Sequence, residues 1–216
     1  MSKKEVYYNH DTPLRKKKTV RNLVITFVSL ALIGVGAYVL ILTQSANLPV
    51  SSPINLNTAD DNTDARNRIQ IDKMNVEVPY FNDNTPATLE KGAWWRFPDR
   101  GNPEKGGNFI LSAHRFYLGT TPAGTKARSP FYKLDTLNEG DKIRIFYQGK
   151  WYEYQVTKRY SVKPDATEIE AELDEPRLTL YTCTLKGSAD GRVVIEAKPL
   201  FETESQKPPE EGSPLL

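Results

Sequence analysis

Cys183 is the only cysteine among 216 residues, and His10 and His114 are the only histidines. A thiolate is a strong nucleophile, but a thiol of pKa about 8.5 is only a few per cent ionised at neutral pH. A nearby imidazole can take the thiol proton and later return one to a leaving amine. The tetrahedral intermediate of such an attack needs a fixed cation or donor at its oxyanion, and losing one donor costs roughly 3–4 kcal/mol. Arg192, nine positions after Cys183, can supply it. Each residue alone also fits a structural role: a small buried cysteine, a hydrogen-bonded histidine, a solvated arginine.

These groups need elements to hold them. Cys183 follows the alternating run RLTLYT at 177–182, Arg192 opens RVVIEA at 192–197, and His114 follows the apolar run NFILSA at 108–113. Ends of strands are rigid and still reach solvent, which suits reactive side chains. Further strand patterns lie at 68–78, 142–147 and 151–162, the last two flanking Gln148-Gly149-Lys150 as a hairpin. β-branched and aromatic residues dominate these runs. Short helices are expected only near 86–91, 129–134 and 167–173. Many short strands with little helix make an all-β domain, a closed barrel or a sandwich.

Residues 23–42 carry no charge, and 20 residues at 1.5 Å each cross a hydrocarbon core of about 30 Å. The 22 residues before them hold seven Lys or Arg against two acids, and no base follows until Arg66. This bias orients a single-pass helix in the cell membrane with its N-terminus cytoplasmic and the rest outside. A cleaved signal peptide is the rival reading, but the apolar run and its leader are long for one. Five of the positive charges are thus net charge of the leader, and the remainder is acidic, so the overall +2 gives no indication of nucleic acid as a partner. The lipid bilayer is a partner instead. The chain divides into a basic leader (1–22), a transmembrane helix (23–42), a Ser/Asn/Asp/Pro-rich flexible stalk (43–66), a folded domain (67–201) and a disordered tail (202–216). With His10 inside, the exported part holds one thiol and one imidazole, and no internal disulfide can form.

Taken together, the ordered motifs resemble the sortase family. Thr179-Leu180-Tyr181-Thr182-Cys183 matches its TLxTC box, Arg192 its downstream arginine, and Ala113-His114-Arg115 its histidine segment after a Gly-Asn-plus-apolar strand. FYKL at 131–134, LNEGD at 137–141 and the Val78-Pro79 step match as well. The resemblance implies a closed eight-stranded β-barrel with a few short helices, preceded by one transmembrane helix. It implies a cysteine transpeptidase that cleaves an LPxTG-like sorting signal through a thioacyl-enzyme. The acyl group then passes to an amine of a peptidoglycan precursor or to a pilin Lys. By the same resemblance Cys183 is the nucleophile, His114 the general acid and base, and Arg192 the oxyanion and substrate stabiliser. Thr182 supports substrate or oxyanion, or packs.

Some features depart from the pattern or stay open. Several sortases carry a proline soon after the cysteine, whereas Thr184-Leu185-Lys186 follows here, which leaves the acceptor open. Trp94-Trp95 reads as barrel packing or as a substrate wall. The acids at 168–175 suit Ca²⁺ by ligand type but follow no defined loop spacing, so no cofactor is assigned. Other zinc, phosphate and dinucleotide motifs are missing. A different class of reading, a membrane-tethered binding module with an inert buried thiol, predicts no loss of function on Cys183→Ala.

Overall fold

The computed structural model describes residues 13–47, 67–83 and 85–200. The leader before residue 13, the stalk from residue 48 and the tail beyond 200 fall outside the described residues.

Helix α1 (Pro13–Gln44) carries an apolar stretch of mean hydropathy 2.5 and is long enough to cross a membrane. It runs further than the charge-free segment, into the first residues expected to belong to the stalk, and a 3-10 turn at Ser45–Asn47 follows.

Among the described residues nine strands form one sheet: β1 (Arg68–Ile71), β2 (Val76–Phe81), β3 (Ala93–Arg96), β4 (Gly101–Asn102), β5 (Gly106–Ser112), β6 (Lys142–Tyr147), β7 (Lys150–Val162), β8 (Arg177–Thr184) and β9 (Gly187–Pro199). Their order is β3-β2-β1-β6-β7-β9-β8-β5-β4, and β3 also pairs with β5. That last pairing closes eight strands into a barrel, with the two-residue β4 hanging on β5. Closure removes exposed sheet edges. The expected eight-stranded barrel is therefore the fold.

Period-two alternation fills the interior. Ile69, Ile71, Phe109, Leu111, Ile143, Ile145, Leu178, Leu180 and Ile195 all point inward and are buried. The aromatic cluster of Tyr80, Trp95, Phe109 and Tyr147 packs edge to face, with centroids 5.4–6.2 Å apart. The β6–β7 hairpin turns through Gln148 and Gly149, both with positive φ (47° and 84°), the conformation of a tight type I′ turn.

Three local expectations shift. The run 68–78 is two strands, broken by a 3-10 turn at Asp72–Met74 that Asn75 ends in the left-handed conformation. Over 129–134 turns lead into a 3-10 turn at Leu134–Thr136, and an unexpected helix α2 (Pro122–Ala127) lies earlier, where Thr121 caps the first turn by accepting from the Gly124 N–H and Pro122 sits at the first helical position. The other two short helices are 3-10 turns at Pro86–Glu90 and Glu168–Glu170.

Candidate active site

The strands β8 and β9 run antiparallel, and Cys183 is the direct cross-strand partner of Arg192. Residues paired in this way project from the same face of the sheet, with Cβ atoms about 4.5–5.5 Å apart. Alternation along β8 sends Leu178, Leu180 and Thr182 inward, and puts Tyr181 and Cys183 on the outer face. Cys183 is half-buried and unpaired. The ladder register breaks just after it, between Cys183 and Thr184, so Ser188 to Gly191 bow out before β9 resumes at Arg192. The 184–191 segment is an irregular hairpin end, closed by Thr184 Oγ1 donating to Asp190 at 2.6 Å.

His114 arrives from the other side. β5 lies parallel to β8 with Ser112 opposite Tyr181, so the chain leaves β5 beside Thr182 and Cys183. Its backbone is tied down at each step. The Ala113 N–H donates to the Tyr181 carbonyl at 3.4 Å, and the Phe131 N–H donates to the His114 carbonyl at 3.2 Å. Thr182, buried, donates its hydroxyl to the Ala113 carbonyl at 2.7 Å. Arg115, also buried, pairs with Asp135 at 2.7 Å. Thr182 thus straps the residue before the histidine to the residue before the cysteine.

The three groups line one cleft of about 250 Å³ on the outer face of the barrel. Trp94 and Arg96 on β3 and Tyr181 on β8 form its floor, and Leu89 and the β7–β8 connection its sides. Trp94 lies opposite Ser112 in the β3–β5 register, whereas its neighbour Trp95 turns into the core. The Trp94-Trp95 pair thus divides between the two readings its sequence left open.

The wall is pinned. Asn108, fully buried, donates to the Ile169 and Ala171 carbonyls at 3.2 and 2.7 Å and accepts from Thr179 at 2.6 Å. Arg100 donates to the Glu170 carbonyl. The Glu170 carboxylate receives Arg96 at 3.2 Å and the Tyr181 hydroxyl. Burial, reinforced by Glu170, pushes the Tyr181 hydroxyl pKa up, so it stays a donor. Glu170 is therefore committed to the wall, and among the described residues no three His, Cys, Asp or Glu side chains converge as metal ligands.

Two electrostatic features complete the site. Arg192 Nη1 donates to the Ser188 and Gly191 carbonyls at 2.7 and 3.0 Å, which fixes the guanidinium over the bowed turn. His114 Nε2 lies 3.6 Å from Glu90 Oε1, while the other Glu90 oxygen meets Arg128 at 3.2 Å. Tyr117 packs its ring 5.2 Å from the imidazole. Burial lowers the His114 pKa below its ordinary value; Glu90 opposes that shift and Arg128 adds to it. Nothing in the sequence spacing marks Glu90. It lies 24 positions before His114, and only the 3-10 turn before β3 brings it there. Gly92 allows that turn, since a Cβ on it would stand 2.3 Å from the Pro79 carbonyl oxygen.

A nucleophilic thiol, a cation beside it on one neighbouring strand and an imidazole just past the end of the other neighbouring strand can carry out acyl transfer. Comparison with known proteins points the same way. The family model for the Sortase domain matches residues 69–200. Sortase A of Bacillus anthracis is 28% identical over 152 residues, 70% of this chain and 67% of that protein. Sortase D of Bacillus subtilis (strain 168) is 26% identical over 207 residues, 84% of this chain and 98% of that protein. The solved structure of a Clostridium perfringens sortase D5 transpeptidase is similar with TM-score 0.52 at 25% identity, over 63% of this chain and 79% of that one.

Proposed function

The chain belongs to the sortase family, and from that premise we propose that it is a cysteine transpeptidase anchored in the cell membrane by α1. Its domain at 67–201 works outside the cytoplasm and its basic leader lies inside, an orientation supported by the lysines and arginines before residue 23. Its substrates are proteins bearing an LPxTG-like sorting signal.

In the first step the Cys183 thiolate attacks the carbonyl carbon of the signal's threonine. A carbon–sulfur bond forms, and the negative charge passes to the carbonyl oxygen, where the Arg192 guanidinium meets it. Collapse breaks the carbon–nitrogen bond to the glycine, whose amine leaves with a proton from the His114 imidazolium. In the second step an acceptor amine loses a proton to His114 and attacks the thioester carbonyl. An amide forms and the thiolate is released. The acceptor is an amine of a peptidoglycan precursor; a pilin Lys would pass through the same steps.

The cross-strand pairing of Cys183 with Arg192, in one cleft with His114, carries this reading. A lowered His114 pKa suits it, since a neutral imidazole is ready to accept the thiol proton. The lowering arises from burial beside the cysteine strand. Incubating the protein with an LPxTG-like peptide library and a panel of amines, then weighing the products, tests it. Peptides cut after threonine and joined to an amine are expected. Cleavage that persists in Cys183→Ala would sink the proposal.

A further inference from the structure

The apolar stretch of α1 ends at Leu42, and Tyr38 lies four residues, about 6 Å, before that end. A tyrosine at this depth places its hydroxyl at the boundary between hydrocarbon and headgroups. Here the Tyr38 hydroxyl donates to the backbone carbonyl of Thr120 at 2.8 Å. Thr120 belongs to the segment that leaves His114 and leads into α2, so that segment stands at headgroup level. The end of α1 is covered as well: Leu42, Ser45 and Ala46 are buried, and Lys133 Nζ donates to the Asn47 carbonyl at 3.0 Å. The segment around α2, from Thr120 to Lys133, therefore rests directly on the end of the helix.

The segment beside Tyr38 has the composition of an interfacial anchor. Phe116 and Leu118 are 39% and 50% exposed, although the segment itself is well ordered by side-chain bonds. Ser129 Oγ accepts from the Tyr117 N–H at 3.0 Å, and Thr125 Oγ1 accepts from the Gly119 N–H at 3.0 Å. A fixed segment that shows large apolar side chains at headgroup depth meets lipid.

We propose that Phe116 and Leu118 insert into the outer leaflet of the bilayer that α1 spans, seating the barrel on the membrane with His114 two residues from the contact. This rests on the reading of α1 as a membrane anchor. The seat fixes the height and tilt of the cleft, so the enzyme would take signals presented close to the membrane surface.

The test uses the full chain in the Cys183→Ala background, with an environment-sensitive fluorophore on Leu118→Cys, on Leu40→Cys within the helix, or on Lys186→Cys in the β8–β9 turn. The proteins are reconstituted in phosphatidylcholine–phosphatidylglycerol vesicles with or without spin-labelled lipid. The Leu118 label should shift to the blue and be quenched by shallow spin labels, as strongly as a headgroup-level site, while the Lys186 label stays in water. A Leu118 label that behaves like Lys186 while Leu40 is quenched overturns the seat and leaves the anchor standing. If Leu40 is also unquenched, the anchor fails and the seat with it. Tyr38→Phe should weaken the Leu118 quenching; unchanged quenching would show that the helix contact does not set the depth.

Discussion

Glu90 holds one carboxylate oxygen 3.6 Å from His114 Nε2 and the other 3.2 Å from Arg128. The imidazole thus feels two opposed influences, burial pressing its pKa down and Glu90 pulling it up. Glu90→Gln removes the pull. The His114 midpoint, followed by NMR titration, should lie below the about 6.5 of a free imidazole and fall further in the variant. A rise would contradict the account.

The same shift has a consequence for stability. Above about pH 6.5 the imidazole is neutral in the folded and unfolded chain alike, and it contributes no pH dependence. As pH falls through that value the unfolded chain takes up the proton first, so this group makes the fold less stable until its own lower pKa is passed. Glu90→Gln should deepen that loss. Thermal melts between about pH 7 and about pH 5 should show a steeper decline for the variant than for the parent. A shallower decline would mean that Glu90 does not favour the charged imidazole.

Thr182→Val keeps the shape of a buried side chain and removes the donor to the Ala113 carbonyl. Leaving a buried acceptor short of a partner costs about 1–3 kcal/mol. The melting temperature should fall, and turnover should fall with it because the strap between the His and Cys strands is gone. Thr182→Ser, which retains the hydroxyl, should restore most of both. If Thr182→Val kept full stability but lost turnover, the hydroxyl would act on substrate instead.

Arg192→Lys keeps a positive charge but loses the planar guanidinium whose Nη1 holds the Ser188 and Gly191 carbonyls while its other nitrogens remain free to donate. Its kcat should fall about 100- to 1000-fold with the fold intact by circular dichroism. Near-normal turnover would remove Arg192 from the oxyanion.

Asn108→Ala releases both the Ile169 and Ala171 carbonyls from the barrel. The wall of the cleft loosens while Cys183, Arg192 and His114 keep their strands. KM for the peptide should rise by more than kcat falls. An effect confined to kcat would place Asn108 in the chemistry.

What the sequence made legible divides along a physical line. The strands that carry Cys183 and Arg192 alternate with period two, which sets which residues point out, whereas the run before His114 is apolar on both faces; the ordered sortase-like motifs, rather than periodicity, grouped the three. α2 was readable in principle from Thr121-Pro122, a cap and a first-turn proline, but its six residues with an internal Gly124 are too few to show an apolar period. Glu90, Arg96 and Glu170 lay beyond reach for another reason. Their roles come from closure of the barrel, which sets β3 against β5 and folds the β7–β8 connection over both. No spacing along the chain encodes a contact between Glu90 and His114, or between Glu170 and Arg96. The helical continuation through Gln44 and the burial of Ser45 and Ala46 were likewise hidden, because Ser, Ala and Asn at 45–47 have the composition of a linker.

The most direct test of the central claim is the mass of the intact protein after brief mixing with an LPxTG-like peptide and no added amine. A covalent adduct equal to the peptide up to its threonine, located on Cys183, released by hydroxylamine and absent from Cys183→Ala, is the predicted result. Cleaved peptide with no such adduct in the parent protein, and equal cleavage in Cys183→Ala, would contradict it.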